Sequence, residues 1–166
     1  MLSKYFLIVS IIVINFNSYS QFRPSKLFKN IDKKHAFKDV AFKTHIDSLI
    51  TKMGLKKTVS AIGTVYYLIT EEKYKSVGKY NASAAWTEFS KGKLYSIRLR
   101  LDVEFSEALT YFSSVLGTPG KLVNDYSWIG NNLIYNIWKI DENGKSKTDI
   151  FICTLQLERD NKEDNF

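Results

Sequence analysis

The chain has 166 residues, of which 45% are apolar and 25% charged, with 24 Lys and Arg against 17 Asp and Glu. This composition is typical of one folded domain and excludes disordered, collagen-like and coiled-coil chains. A disulfide-bonded scaffold is excluded as well, because the single cysteine cannot form an internal bridge.

The first twenty residues have the pattern of a secretory signal peptide. Lys4 provides a positive charge, an apolar run follows over 5–14, and Ser18 and Ser20 supply small residues before Gln21. A membrane anchor is the alternative, but a spanning helix needs ~20 predominantly apolar residues, and polar residues begin soon after this run. We therefore expect residues 1–20 to be cleaved after Ser20, which makes the mature protein secreted or periplasmic and leaves it without a transmembrane segment.

The mature chain is expected to begin with a basic lead-in segment over 21–36, where no hydrophobic period is sustained. A short strand is predicted within 37–42. Thr44 then begins a predicted helix, because the apolar residues that follow recur at the spacing of one helical face and a glycine closes the pattern. These residues are Ile46, Leu49, Ile50, Met53 and Gly54.

Strands and one further helix account for the rest of the pattern. The second helix is predicted over 106–116, with Ser106 as its cap and Gly117 at its end. Alternating and β-branched runs predict six strands, of which the second and third form a hairpin. The predicted strands are 58–70, 82–89, 94–101, 122–129, 133–140 and 148–157, and a polar tail follows over 158–166.

The chain therefore reads as two αβββ units. We expect an α+β fold with one antiparallel sheet of about six strands and two helices packed on one face, because each apolar helix face needs a surface to cover. Residues 37–157 would form this single domain, and the repeated order suggests an internal duplication of 37–101 and 102–157.

Three segments carry a resemblance to known proteins: the early strand 37–42, the aromatic hairpin 86–101, and 116–128, where Leu-Gly-x-Pro precedes a Trp-bearing strand. In these segments the chain resembles small secreted or envelope proteins of Gram-negative bacteria. The tandem αβββ order is similar to that of beta-lactamase-inhibitor-like modules. The resemblance implies a fold and a compartment, and it assigns no functional residue.

No motif for metal, nucleotide or nucleophilic chemistry is present in the sequence. His35, His45 and Cys153 are the only imidazole or thiol groups, and their spacing matches no zinc motif. Cys153 lies in an apolar strand pattern, where we expect it to be buried and inert. We therefore predict no metal, no cofactor and no catalytic residue.

Positive charge is concentrated near the start of the mature chain. Residues 23–57 hold ten basic residues and three acidic ones, whereas the remainder is nearly neutral. Such a patch attracts anionic partners such as lipid headgroups, acidic polysaccharide or an acidic protein, and secretion makes nucleic acid an unexpected partner. The alternative is that these lysines only solubilise an exposed surface. The candidate patch consists of Lys33, Lys34, Lys38, Lys43, Lys56 and Lys57.

Aromatic residues make up 14% of the chain, and many of them fall in predicted strands. Adjacent strand residues point to opposite faces, so some aromatic side chains should lie on the sheet face that the helices leave open. An exposed aromatic face is a candidate recognition surface, unless the lead-in segment, with Phe22, Leu27, Phe28 and Ile31, covers it. The candidate surface consists of Tyr66, Trp86, Trp128 and Trp138.

These observations favour a secreted or periplasmic, non-catalytic binding or inhibitory module that presents the open sheet face to a protein or glycan. Two alternatives remain open. One is an enzyme with an unfamiliar site of carboxylates and Tyr, which would need a deep polar pocket. The other is a structural component of the envelope.

Overall fold

The computed structural model describes residues 23–60, 65–122, 125–142 and 144–155. The predicted signal peptide and the predicted tail over 158–166 lie outside these residues. Within them are three α-helices: α1 (Lys26–Lys34), α2 (Ile50–Met53) and α3 (Phe105–Leu116). None of these helices is long and apolar enough to cross a membrane.

The protein is mainly a β-structure built around one antiparallel sheet of nine strands. The sheet order is β10-β11-β12-β13-β8-β7-β5-β4, with β6 paired to β7, while β1 with β9 and β2 with β3 form two small sheets. In chain order the strands are β1 (Arg23–Pro24), β2 (Ala36–Phe37), β3 (Val40–Ala41), β4 (Leu55–Val59), β5 (Val65–Ile69), β6 (Ser76–Val77), β7 (Tyr80–Ser90), β8 (Lys93–Leu101), β9 (Gly117–Thr118), β10 (Gly120–Leu122), β11 (Asp125–Ile129), β12 (Leu133–Glu142) and β13 (Lys145–Thr154).

The prediction of two helices on a six-strand sheet is wrong. The segment predicted as one strand over 58–70 is shared between two antiparallel strands, β4 and β5, in which Val59 pairs with Val65. Short β6 and β10 add two further strands to the sheet. The coarser prediction of a mixed helix and strand fold with an antiparallel sheet is confirmed.

The predicted first helix is also largely absent. Residues 46–48 form one 3₁₀ turn and α2 has only four residues. Residues 43–46 form backbone hydrogen bonds with the start of β8 instead. Lys43 and Ile46 donate their backbone N–H groups to the carbonyls of Leu94 and Gly92, both at 2.9 Å. Only Leu49 and Met53 of the predicted apolar stripe are fully buried.

The segment predicted as an irregular lead-in contains α1. Ser25 caps this helix: its Oγ accepts a hydrogen bond from the Phe28 N–H at 3.0 Å and donates one to the Val115 carbonyl at 2.6 Å. The buried positions of α1 are Phe28 and Asp32. Because the second of these is a carboxylate, hydrophobic periodicity does not mark the buried face of the helix.

The Asp32 carboxylate joins α1 to the turn between β11 and β12. It is buried and accepts hydrogen bonds from the backbone N–H groups of Asn131, Asn132 and Leu133 at 2.8–2.9 Å. Gly130 lies against this carboxylate, and a Cβ there would overlap it. The turn and the helix therefore hold each other in place.

The hydrophobic core lies between the sheet and the helices α1 and α3. Phe28 of α1 packs edge-on against Tyr135 of β12, with ring centroids 6.0 Å apart, and Phe105 of α3 contacts Tyr126 of β11. Both helices thus lie on the same face of the sheet, which we call the inner face. Its buried centre consists of Ile97, Leu99, Leu101, Ile137, Ile150 and Ile152.

Candidate functional site

The opposite side of the sheet, the outer face, brings aromatic and charged side chains together across its central strands. Register places Trp86 of β7 beside Arg98 of β8, and Arg98 beside Phe151 of β13. Asp149 of β13 lies between Arg100 and Trp138 in the same way. Since side chains alternate along a strand, all of these residues share one face.

Arg98 lies between two tryptophans. Its guanidinium carbon is 5.0 Å from the ring centroid of Trp86 and 4.8 Å from that of Trp138. Arg100 also lies over Trp86, at 5.5 Å, and Phe151 contacts Trp138 with ring centroids 6.4 Å apart. Cation–π attraction and the ring contact of Phe151 together link four adjacent strands in one cluster.

A buried carboxylate holds both arginines of this cluster. The Asp149 side chain is 0% exposed, and it accepts hydrogen bonds from Arg98 Nε at 2.8 Å and Arg100 Nε at 3.1 Å. These bonds to Asp149 raise the pKa of Arg100 above its ordinary value, against the effect of desolvation. Arg100 also contacts Glu142 at 3.2 Å. The guanidinium groups are therefore held in place without a ligand.

A shallow cavity of about 470 Å³ adjoins the cluster. Its floor includes Ala84, the smallest side chain of this part of the outer face, which pairs in register with Arg100. Trp86, Tyr66 and Leu68 line it, and Leu68 is 38% exposed. Because the Ala84 side chain is only a methyl group among larger side chains, an apolar depression forms here, beside the charged groups of Arg98 and Arg100.

Three of the four predicted aromatic residues, Tyr66, Trp86 and Trp138, lie on the outer face and are partly exposed. Trp128 does not join them. It pairs in register with Tyr135 of the inner face, is 1% exposed, and donates its indole N–H to the Gly117 carbonyl at 2.7 Å. Including Trp128 in the candidate surface is therefore corrected: its position along β11 directs it into the core.

The described part of the lead-in segment does not cover the outer face. Phe28 is buried against the inner face, and Leu27 is 49% exposed on α1. Ile31 also packs against the core. Phe22 lies outside the described residues.

The six lysines predicted as one basic patch are divided among separate elements. Lys33 and Lys34 belong to α1, which packs on β12, whereas Lys56 and Lys57 belong to the edge strand β4. Five strand spacings separate β12 from β4, which is roughly 24 Å. The other two, Lys38 and Lys43, lie on either side of β3, and Lys38 donates a hydrogen bond to Ser76 Oγ at 2.7 Å. The single patch is therefore corrected, because the fold separates residues that are close in sequence.

Carboxylates converge at one place near the outer face, on Lys147. Its Nζ lies 2.9 Å from Asp102 and 2.8 Å from Glu142. Hydrogen bonds to Lys147 lower the pKa of both carboxyl groups and raise the pKa of Lys147. All three groups are thereby held in their charged forms, whereas a general acid at neutral pH needs a raised carboxyl pKa. Among the described residues no group of three or more acidic, His or Cys side chains could hold a metal ion.

The residues that sequence reasoning missed are Asp149 and its pairing with two arginines. Arg98 and Arg100 alternate with the buried Leu99 and Leu101 along β8, so both lie on the outer face. Asp149 follows the polar residues 145–148 of β13 and directly precedes its apolar run, so the sequence pattern does not mark it as buried. No family model matches the chain, and no curated protein or solved structure matches it either.

Proposed function

We propose that the protein is a non-catalytic binding module that holds a partner protein against its outer face. The observation that carries this proposal is the position of Arg98 between Trp86 and Trp138, held there by the buried Asp149. Trp and Arg are the residues that most often dominate the free energy of protein–protein binding. The predicted signal peptide adds that this partner is met outside the cytoplasm.

The outer face is organised before any partner arrives. Immobilising a long side chain at an interface costs about 0.5–1.5 kcal/mol, and two arginines that are already fixed avoid much of this cost. The cavity beside Trp86 offers a place for one apolar side chain of the partner. Both features favour binding over the structural-component alternative, which requires neither.

The enzyme alternative lacks comparable support. The carboxylates that converge on Lys147 have lowered pKa values and form ion pairs. Acid–base chemistry at neutral pH uses groups whose pKa is shifted toward the working pH. An ion-pair network at the edge of a binding surface accounts for these groups more directly.

The test is affinity capture from envelope and secreted fractions of the source cells, with three forms of the chain as bait. Ala84→Trp fills the cavity, and because Ala84 is partly exposed, this change leaves the core intact. Thr110→Trp places the same bulk on an exposed position of α3, on the other side of the sheet, and serves as the matched control.

We expect a protein to be captured by the unmodified chain and by Thr110→Trp, and to be lost with Ala84→Trp. A purified complex of that protein with the unmodified chain should then show protection of Trp138 from solvent quenching. Capture that is equal for all three baits, with each bait folded by circular dichroism, would refute the proposal.

A further inference from the structure

A second cavity, of about 540 Å³, lies between α1 and the turn that joins β11 to β12. Its size falls within the ~300–1,000 Å³ of small-molecule sites. Apolar side chains form one part of its lining, and lysines form another. The apolar part consists of Pro24, Phe28 and Ile129, of which Ile129 is 48% exposed.

Two of the three charged residues in this lining are lysines. Lys29 and Lys33 are four residues apart in α1, so both project from the same side of the helix toward the cavity. Neither forms an ion pair with a carboxylate in the part of the chain that the structure describes. By contrast, Lys52, Lys75, Lys79 and Lys147 each have a carboxylate partner.

The carboxylate that shares this cavity is already engaged. Asp32 also lines the cavity, but its two oxygens accept three hydrogen bonds from the backbone of residues 131–133. It is the only acidic residue of α1. The exposed surface of the helix therefore carries cations without an accessible anion, next to an exposed isoleucine.

We propose that this cavity binds a single-chain anionic lipid, of which a fatty acid is the simplest member. The carboxylate of the lipid would lie between Lys29 and Lys33, where two ammonium groups can donate charge-assisted hydrogen bonds. The alkyl chain would lie along Pro24 and Ile129 and bury apolar surface that is otherwise exposed. Charge complementarity selects an anionic head group, and the apolar lining selects an alkyl chain.

This site is independent of the proposed function on the outer face. The cavity lies at the end of the sheet where β11 turns into β12, beside a helix on the inner face. Along β12, Trp138 lies four positions beyond Ile134, which is at this end, a distance of roughly 13 Å. A ligand here and a partner on the outer face would therefore contact different residues.

The test is isothermal titration of the full chain with sodium dodecanoate below its micellar concentration. Lys29→Gln/Lys33→Gln removes the two cations that line the cavity. Lys26→Gln/Lys34→Gln removes two cations from the same helix outside the cavity lining and changes the net charge equally. All forms share residues 1–22, so any adsorption to that apolar run is common to them.

We expect dodecanoate to bind the unmodified chain, and the Lys29/Lys33 change to weaken binding about tenfold or more, as the loss of charge-assisted contacts does. The Lys26/Lys34 control should keep binding within about threefold, because exposed charges outside a site act weakly through solvent. Ile129→Gln should weaken binding as well, and acetate, which has the head group without the chain, should not bind.

Three results would overturn this site: no heat of binding in the unmodified chain, equal loss in the two double variants, or equal affinity for dodecanoate and a neutral dodecyl glycoside. Equal loss would mean that only the overall charge matters. Equal affinity would mean adsorption to apolar surface. Because none of these titrations involves the outer face, their failure leaves the proposed function standing.

Discussion

Trp128 and Trp138 show at the level of single residues how one sheet separates stability from recognition. Trp128 is fully buried, with its indole N–H bonded to the Gly117 carbonyl, while Trp138 is partly exposed against Arg98. We expect Trp128→Ala to lower the free energy of unfolding by about 3–5 kcal/mol, because it leaves a large cavity in the core. Trp138→Ala should cost under about 2 kcal/mol, since its ring is not fully desolvated. Urea denaturation of both variants measures the difference, and similar losses would contradict the assignment of the two faces.

His35 is expected to make folding weaker in mild acid. It follows α1, its Nε2 lies 2.7 Å from Thr154 Oγ1, and its ring stacks on Phe42. Burial, and secondarily the charge of Lys43, lower the pKa of His35 below its ordinary value of 6.5, although Asp32 opposes this shift. The unfolded chain therefore binds a proton that the folded chain resists, so stability is present above pH 6.5 and falls as the pH drops below it.

The measurement for His35 is the free energy of unfolding between pH 5 and 8 in the unmodified chain and two variants. His35→Gln should flatten the decline below pH 6.5, whereas His45→Gln, which changes the only other and more exposed histidine, should retain it. The same decline in all three forms would show that other groups cause it.

Among the elements, α1 depends most on a single polar contact. The Asp32 carboxylate satisfies three backbone donors of the β11–β12 turn. Asp32→Asn should destabilise the protein by about 2–3 kcal/mol, because an amide offers one oxygen and turns its own N–H groups toward these donors. Asp47→Asn is the control, since the Asp47 side chain is 79% exposed and its change should stay within about 0.5 kcal/mol. Equal thermal-unfolding midpoints for Asp32→Asn and the unmodified chain would show that the Asp32 contact contributes nothing to stability.

The elements also differ in how well they could be predicted from sequence. Strand β8 and helix α3 were predicted nearly to the residue, because their apolar positions follow one period without interruption. Helix α1 was missed because its buried face contains Asp32. Strands β4 and β5 were merged because the run 58–70, which includes the end of β4 and all of β5, is dense in β-branched and aromatic residues. Gly63, between them in sequence, is also typical of a bulge within one strand.

The candidate site was predictable only in part, for a reason that belongs to topology. The pattern predicted that some of the aromatic side chains lie on the open face, but it did not separate the buried Trp128 from the others. In the structure Trp86, Arg98 and Trp138 share the outer face. Their meeting depends on β13 inserting between β12 and β8, a pairing of strands that lie far apart in sequence. Alternation within one strand predicts which face of the sheet a side chain occupies. Its neighbours on that face depend on the register between strands that are distant in sequence.

The whole molecule has two surfaces with different chemistry on the two sides of one sheet. The outer face presents tryptophans and arginines around the buried Asp149, while the helix side carries the lysines of α1. The excess of basic residues over 23–57 is therefore spread across several elements and does not form one basic patch. Its part on α1 lies beside a cavity.

The join between β8 and β13 decides whether the two predicted units fold separately. Leu99 of β8 pairs with Ile150 of β13, Ile97 pairs with Ile152, and all four are buried in one continuous core. We therefore expect a single cooperative unfolding transition, because neither unit can bury these side chains without the other.

Native-state hydrogen exchange in low denaturant tests this cooperativity. Backbone N–H groups of β7 and β12, on either side of the join, should exchange with the same free energy of opening, since both need global unfolding. Leu99→Ala should lower both values together by about 2–5 kcal/mol, the cost of truncating a buried leucine. If Leu99→Ala weakens β7 and leaves β12 unchanged, the halves are separate folding units and the sheet is only their interface.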